Sequence, residues 1–131
     1  MIPKFRAWDK RENTMRDVAV LHFTKGGKVN SIEYWKTPSE LKSYHVRNLV
    51  LMQSTGLKDK NGVEIFEGDL VEHDDNINGT WETFEACEIV YDVDYAQFCF
   101  KNDASNFLSY YRNLCIIGNI HENPELLEES E

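Results

Sequence analysis

Two glycine-containing turns in the middle of the chain constrain its fold more than any other feature of the sequence. The segment LMQSTGLKDKNGVEIFEGDLV, residues 51–71, contains Asn61 and Gly62 between two apolar runs. Asn-Gly is a strong hairpin signal, because both residues accept the positive φ of a type I′ turn. Gly68 and Asp69 then interrupt the second run, which predicts a bulge or a tight bend. The segment therefore predicts short strands joined by tight turns.

Strict alternation of apolar and polar residues appears further along the chain. Cys87, Ile89 and Tyr91 share one face of an extended segment, and Glu88 lies on the other. Period-2 patterning of this kind is typical of antiparallel strands with one face in water. Gly118, near the end of the chain, is predicted to hold another backbone position that tolerates a side chain poorly.

Two short helices are indicated by capping patterns. TPSE at residues 37–40 is a capping box and predicts a helix that runs to about Ser43. Asn123 and Pro124 form an N-cap with proline at the first helical position, which predicts a helix over 125–127.

Together these patterns predict a single domain with a mainly β fold. We expect a small SH3-like barrel over about residues 51–127 and an N-terminal β-hairpin layer or arm over 1–50. Two or three short helices and an acidic tail at 128–131 complete the prediction. The 131-residue chain can bury an ordinary core, and its 41% hydrophobic content is that of a globular protein.

The composition also bounds the location of the protein. No apolar run approaches the roughly 18 residues that a membrane span requires. The first residues, MIPKFRAWDK, lack the apolar stretch of a signal peptide. We therefore expect a cytoplasmic protein that does not enter the membrane.

The net charge of −9 is unevenly distributed along the chain. Residues 1–60 carry 12 basic and 6 acidic side chains, whereas residues 61–131 carry 2 basic and 17 acidic ones. The two halves can attract each other within one chain, or meet between chains and give a homo-oligomer. Each half can instead face a different partner, or the charges can be the solvated faces of strands.

The basic N-terminal segment raises the possibility of nucleic-acid binding. Cationic side chains steer phosphates and aromatic rings stack on bases. The net negative charge opposes such binding at long range, and we favour the view that the aromatic residues belong to the core of a first strand. The candidate contacts to nucleic acid or another partner are Lys4, Arg6, Trp8, Lys10 and Arg11.

The acidic second half raises an alternative, in which rows of carboxylates imitate the phosphates of DNA. Such a surface would occupy a DNA-binding protein. The acidic residues can equally be the solvated faces of strands.

No residue pattern predicts a metal site. His73, Asp74 and Asp75 carry ligand atoms that suit a divalent cation. They are consecutive, however, and consecutive residues of a strand face opposite sides. We therefore expect no metal and no other cofactor.

The cysteines give no sign of catalysis. Cys87, Cys99 and Cys115 form no C-x-x-C pair and are odd in number, so we expect buried free thiols without disulfides or zinc. No cysteine or serine stands in a motif with a histidine base. We therefore expect a protein without enzymatic activity.

Three separated segments of the chain are KFRAWDK at 4–10, LMQSTGLKDKNGVEIFEGDLV at 51–71 and IGNIHENPELL at 117–127. In this order they resemble the YopX family, small proteins encoded by phages and prophages of bacteria. Ser54, Val63 and Phe66 depart mildly from the usual family form. The resemblance implies a β-rich fold and a phage or prophage origin, but no activity, cofactor or catalytic residue. We therefore predict an interaction module that works as a homo-oligomer in the cytoplasm of a bacterial host cell. A host or phage protein is a further possible partner.

Overall fold

The computed structural model describes residues 4–77, 79–101 and 112–129. In this part of the chain, ten β-strands are accompanied by a 3₁₀ turn (Val46–Asn48) and one short helix, α1 (Glu125–Glu129). The predicted mainly β fold is confirmed. The strands are β1 (Phe5–Asp9), β2 (Thr14–Phe23), β3 (Val29–Thr37), β4 (Glu40–His45), β5 (Leu49–Lys58), β6 (Glu64–Phe66), β7 (Asp69–Ile77), β8 (Thr80–Asp92), β9 (Gln97–Phe100) and β10 (Arg112–Asn119).

The strands form two antiparallel sheets. Six strands have the order β4-β3-β2-β1-β5-β6, and four have the order β10-β7-β8-β9. The chain divides into two compact units, Met1–Gln53 and Ser54–Glu131. The division lies within β5, whose first part pairs with β1 and whose last part pairs with β6. The sequence analysis placed the boundary between the N-terminal region and the second region slightly earlier, at Leu51.

The core of the first unit follows from side-chain alternation in β3. Ile32 and Tyr34 lie on one face and pack with Ala7 of β1 and Leu49 of β5. Trp35, the next residue, lies on the opposite face and is 45% exposed. The sheet of this unit therefore has a dry face and a wet face, and the wet face carries a large aromatic side chain.

The core of the second unit draws one buried residue from each of five strands. These residues form a single apolar cluster, against which Leu57 and Phe98 also pack. Because β6 to β10 each contribute one member, the cluster ties the strands of this unit together. The five are Ile65, Val71, Ile89, Phe100 and Leu114.

The closed barrel predicted for residues 51–127 is not found in the described residues. There β9 and β10 lie at opposite ends of the four-stranded sheet, and no ladder joins them. β6 pairs instead with β5. Alternation fixes which side chains face the core, but it does not determine which strands pair or whether a sheet closes.

The helix predicted after the TPSE motif is wrong, because the chain turns there and returns as β4. Thr37 and Glu40 are register partners in the β3–β4 ladder, with Pro38 and Ser39 between them. Proline and serine favour β-turns as well as helix starts. A helix of about six residues is also marginal by itself, so the ladder prevails.

The helix predicted near the C-terminus is confirmed as α1. The carbonyl of Asn123 accepts a hydrogen bond from the N–H of Leu126 at 3.1 Å. The side chain of Asn123 accepts one from the N–H of Asn119 at 3.2 Å. Asn123 therefore stabilises the turn between β10 and α1. The described part of the chain contains no helix with the length and apolar character of a membrane span.

The turn at Asn61 and Gly62 joins β5 to β6, but the type I′ assignment is wrong. Gly62 has a φ of +81°, whereas Asn61 is not among the residues with positive φ. Asp59 donates its N–H to the carbonyl of Val63 at 2.8 Å, and Gly62 donates to the carbonyl of Asp59 at 3.0 Å. This is a three-residue loop that ends in a left-handed glycine. Only the glycine meets a special backbone requirement.

The carboxylate of Asp59 fastens this loop to β10. Its Oδ1 accepts hydrogen bonds from the N–H groups of Asn61 and Val63, both at 2.9 Å. Its Oδ2 accepts one from the N–H of Ile116 at 3.1 Å. One nearly buried side chain thus satisfies donors from two segments that are far apart in sequence.

The hydrogen bonds of Asp59 favour its ionised form. Burial would by itself raise the pKa of Asp59, but the N–H donors and the charge of Lys60 outweigh it and hold the pKa below its ordinary 3.8. Lys60 also donates its N–H to the carbonyl of Leu114 at 2.8 Å. The loop and β10 are therefore joined at two adjacent points.

Gly68 lies at the tight bend between β6 and β7, with a φ of +83°. Its N–H donates to the carbonyl of Ile89, and its carbonyl accepts from the N–H of Ile120, both at 2.9 Å. The carboxylate of Asp69 accepts from the N–H of Phe66 at 2.8 Å. The Gly-Asp pair thus turns the chain and connects three segments of the second unit.

Gly118 owes its place to close packing. It is not among the glycines with positive φ. A Cβ atom at this position would collide with the side chain of Asn123. A glycine here lets the turn after β10 fold back onto the strand.

We expect Gly62→Ala to lower the free energy of unfolding by about 1 kcal/mol, because alanine resists positive φ. Crowding is not the cause, since no atom lies within 4 Å of an added Cβ. Gly26→Ala is the matched control, because Gly26 is exposed and lacks a positive φ. Urea denaturation measures both variants. An unchanged midpoint for Gly62→Ala would refute the left-handed assignment.

We expect Asp59→Asn to lower the free energy of unfolding by about 2–3 kcal/mol near neutral pH. The ionised carboxylate stabilises the fold above its ordinary pKa of 3.8, and this contribution is lost as pH falls through the lower folded pKa. Denaturation across a pH series should show the gap between native protein and variant closing below about pH 4. Glu85→Gln, at an exposed position, is the control. A gap that persists unchanged into acid would contradict a role for the ionised form.

We expect Gly118→Ala to destabilise the protein through its contact with Asn123. Asn123→Ala removes the amide atoms that the new methyl group would strike. A double-mutant cycle measured by thermal unfolding should therefore give a smaller loss for Gly118→Ala in the Asn123→Ala background. Simple additivity of the two losses would show that the collision is not the reason for the glycine.

Candidate functional site

The five predicted contact residues of the N-terminal segment differ in exposure. Lys4 and Lys10 are exposed, and Arg6 is half-buried. The side chain of Arg11 is 44% exposed. Trp8, in contrast, is only 8% exposed and therefore offers little ring surface on which a base could stack.

A buried carboxylate organises the basic residues that follow β1. Asp9 has no exposed surface, and its Oδ2 lies 3.5 Å from both Arg11 Nη2 and Arg16 Nε. Its Oδ1 accepts a hydrogen bond from the N–H of Arg11 at 3.1 Å. Arg16 also pairs with Glu12. Part of the N-terminal positive charge is therefore neutralised within the first unit.

Two tyrosine rings complete this arrangement. The guanidinium of Arg11 lies 3.3 Å from the ring centroid of Tyr44, and that of Arg16 lies 4.8 Å from the centroid of Tyr34. Both distances are within the range of cation–π attraction. The hydroxyl of Tyr44 accepts a hydrogen bond from the side chain of Asn48 at 2.9 Å. These arginines thus have structural partners, which sequence reasoning did not reveal.

His73, considered for metal binding, lies between aromatic rings. It is 5% exposed, and its ring centroid lies 5.2 Å from that of Phe84 and 4.5 Å from that of Phe100. The ring planes differ from those of the two phenylalanines by 21° and 17°, so the three rings are stacked. His73 therefore packs as part of the apolar interior of the second unit.

The adjacent Asp74 has a separate set of partners. It accepts hydrogen bonds from the side chains of Asn113 at 3.0 Å and Thr83 at 2.8 Å. These hydrogen bonds hold the pKa of Asp74 below its ordinary value. The described residues contain no group of three or more His, Cys, Asp and Glu side chains placed to hold a metal ion. The side chain of Asp75 lies outside the described part.

All three cysteines are free thiols. Cys99 is buried, whereas Cys87 and Cys115 are partly exposed. Burial raises the pKa of the Cys87 thiol, which favours the protonated and less nucleophilic form. The Sγ of Cys115 accepts a hydrogen bond from the side-chain amide of Asn61 at 3.7 Å. The surroundings of Cys87 are those of a structural thiol.

An open groove lies at the end of β3, on the first unit. It has a volume of about 400 Å³ and contains an indole ring, a proline ring and side chains of both charges. Trp35 is the register partner of Leu41 on β4, and these side chains are 45% and 41% exposed. We call this surface the Trp35 groove. It is lined by Asp17, Trp35, Lys36, Thr37 and Pro38.

The turn between β8 and β9, which we call the Val93 tip (residues 91–95), presents apolar side chains on a fixed backbone. The Oδ1 of Asp92 accepts hydrogen bonds from the N–H of Asp94 at 2.8 Å and of Tyr95 at 3.2 Å. Val93 is 80% exposed, Tyr95 61% and Tyr91 42%. An aspartate therefore sets the shape of a turn whose apolar side chains point into water.

The sequence predicted neither surface as a site. The TPSE pattern placed Thr37 and Pro38 of the groove at the start of a helix. A signal was present at the tip, since a valine between two aspartates is unusual in a solvated turn. The groove has no such signal, because it depends on the β3–β4 pairing.

Comparisons with known proteins agree with this architecture. The profile of the family described as YopX protein matches residues 4–128. Protein EF1440 from Enterococcus faecalis, whose crystal structure is known, has 35% sequence identity to this chain. The match covers 97% of this chain and 99% of that chain, with a TM-score of 0.69. Protein yopX from Bacillus subtilis, also of known crystal structure, has 20% sequence identity to this chain. The match covers 94% of this chain and 96% of that chain, with a TM-score of 0.58. No match was found among curated protein sequences. The family match over nearly the whole chain, together with the fold, establishes that the chain belongs to the YopX family.

Proposed function

We propose that the protein is a phage- or prophage-encoded interaction module without enzymatic activity, which works as a homo-oligomer in the bacterial cytoplasm. The observation that carries the proposal is the separation of charge between the two units. The unit up to Gln53 has 10 basic and 5 acidic side chains, and the unit from Ser54 has 4 basic and 18 acidic ones. Surfaces of opposite sign on two copies attract each other.

The local contacts support a role for the remaining charges in association. Asp9 and Glu12, two of the acidic residues of the first unit, already pair with Arg11 and Arg16. Exposed lysines elsewhere in that unit, such as Lys25, then set the sign of its surface. In the second unit basic side chains are too few to neutralise the carboxylates. Head-to-tail or two-fold pairing of copies brings the two signs together.

Nucleic-acid binding through Lys4, Arg6 and Lys10 is a weaker alternative. The burial of Trp8 and the packing of Arg11 on Tyr44 both count against it. Imitation of DNA by the acidic unit is the other alternative, and it requires a host DNA-binding protein as partner. A pull-down from host lysate, with and without nuclease, separates the two alternatives, because only the first depends on nucleic acid.

We expect light scattering to show an oligomer at about 50 mM salt that dissociates as salt rises toward about 1 M, because salt screens attraction between exposed charges. Lys25→Gln combined with Lys28→Gln lowers the positive charge of the first unit and should weaken association. Lys101→Gln is the control, because it removes a basic side chain from the acidic unit and should not weaken association. A monomer at low salt, or an oligomer indifferent to salt, would contradict the proposal.

A further inference from the structure

We propose that the Val93 tip of one copy docks into the Trp35 groove of a second copy. The inference rests on the proposed homo-oligomer and specifies its contact. It assigns the partner of two surfaces that are exposed in the single chain, each on a different unit.

The tip has the properties of a preformed binding element. Its backbone is held by the two hydrogen bonds to Asp92. Tyr91 packs edge-on against Phe98 of β9, with ring centroids 5.1 Å apart, which anchors the base of the turn. A turn that is already ordered loses little conformational entropy when it binds. Val93 and Tyr95 are thus presented at a low entropic cost.

The groove offers the complementary chemistry. The rings of Trp35 and Pro38 give it apolar walls, and Lys36 adds a positive charge. Its volume of about 400 Å³ accommodates one or two side chains rather than a whole strand. Tryptophan is also enriched among the residues that dominate binding energy at protein interfaces. The groove therefore suits a narrow apolar projection that carries a negative charge.

The tip matches each of these features. Val93 supplies the apolar projection, and the carboxylate of Asp94 matches the ammonium of Lys36. The phenolic hydroxyl of Tyr95 is a donor for Asp17 on the groove. The net charges of the two units have the same complementarity, positive on the side of the groove and negative on the side of the tip. Every second copy of the chain carries this projection, which makes it the occupant.

The geometry of docking also bears on assembly. Every copy has one tip and one groove, and these are different surfaces. Docking is therefore either exchanged mutually between two copies or repeated head to tail, which gives a ring where the rotation closes and an open filament where it does not. In a mutual pair or a ring, each copy gives one contact and receives one.

The first test compares variants of the tip with a matched control. Val93→Ser and Tyr95→Ser should each weaken association about tenfold or more in analytical ultracentrifugation, because each removes a central apolar contact. Val63→Ser is the control, since Val63 is also an exposed valine in a hairpin turn, 53% exposed. Its association should stay native. Equal association for all three variants and the native protein would overturn the inference.

The groove is tested with Trp35→Ala, and Trp81→Ala is its control, because Trp81 is 60% exposed on β8. Only the groove variant should weaken association about tenfold or more. Thermal unfolding of both variants shows whether the fold is retained. Equal weakening by both, or by neither, would overturn the inference.

A charge exchange tests the pairing of Asp94 with Lys36 directly. Asp94→Lys and Lys36→Glu should each weaken association, because each places like charges together. The double variant should recover most of the native association. Losses that merely add in the double variant would overturn this contact.

Mixing of complementary variants separates docking between copies from effects within one chain. A Val93→Ser copy retains its groove, and a Trp35→Ala copy retains its tip. A mixture should form mixed pairs joined by one intact contact, although each variant alone associates weakly. Absence of mixed pairs would overturn docking between copies.

The two proposals fail in different ways. A native protein that stays monomeric at low salt would refute the homo-oligomer and the docking contact together. A native oligomer that is sensitive to salt but unaffected by the tip and groove variants would refute only the docking contact. In that case the charge separation would act through other surfaces.

Discussion

The second unit depends on the carboxylate of Asp59, which joins a hairpin loop to a strand more than fifty residues later in the chain. Its three backbone donors come from Asn61, Val63 and Ile116. Backbone pairing between this loop and β10 would require a continuous strand register. The carboxylate of Asp59 needs only a single point of contact with β10. β10 is itself irregular, since its pairing with β7 contains register shifts. One ionised group thus stabilises a sheet edge that is irregular.

The sequence predicted the type of structure better than its connections. Period-2 patterns and glycine turns located strands in the segments 51–71 and 87–91, because side-chain alternation and positive φ are local properties. Sheet closure and the pairing of β6 with β5 depend on contacts distant in sequence, and local patterns do not encode them. The TPSE motif failed for a related reason. Its capping signals are also turn signals, and only the pairing of Thr37 with Glu40 decides between them.

Prediction of the candidate site was less successful, because function depends on which side chains remain exposed. Trp8 was one of the candidate contacts, but it is nearly buried, as the favoured interpretation of the N-terminal aromatic residues as core of a first strand predicted. The sequence analysis did not single out Trp35, which is exposed because Ile32 and Tyr34 of the same strand take the buried face. The role of Asp9 could not be predicted from the sequence either, since Arg11 and Arg16 come together at its carboxylate only in the folded sheet.

The position of β4 bears on how the protein behaves at high concentration. It ends the order of the six-stranded sheet, so in the described residues its outer edge has no neighbouring strand. Open edges can recruit further strands and lead to fibres, and charged side chains oppose this. β4 carries Glu40 and Lys42, both exposed, within six residues. These charges oppose the addition of a further strand at this edge, so association through the edge of β4 is disfavoured even where copies of the chain are crowded together.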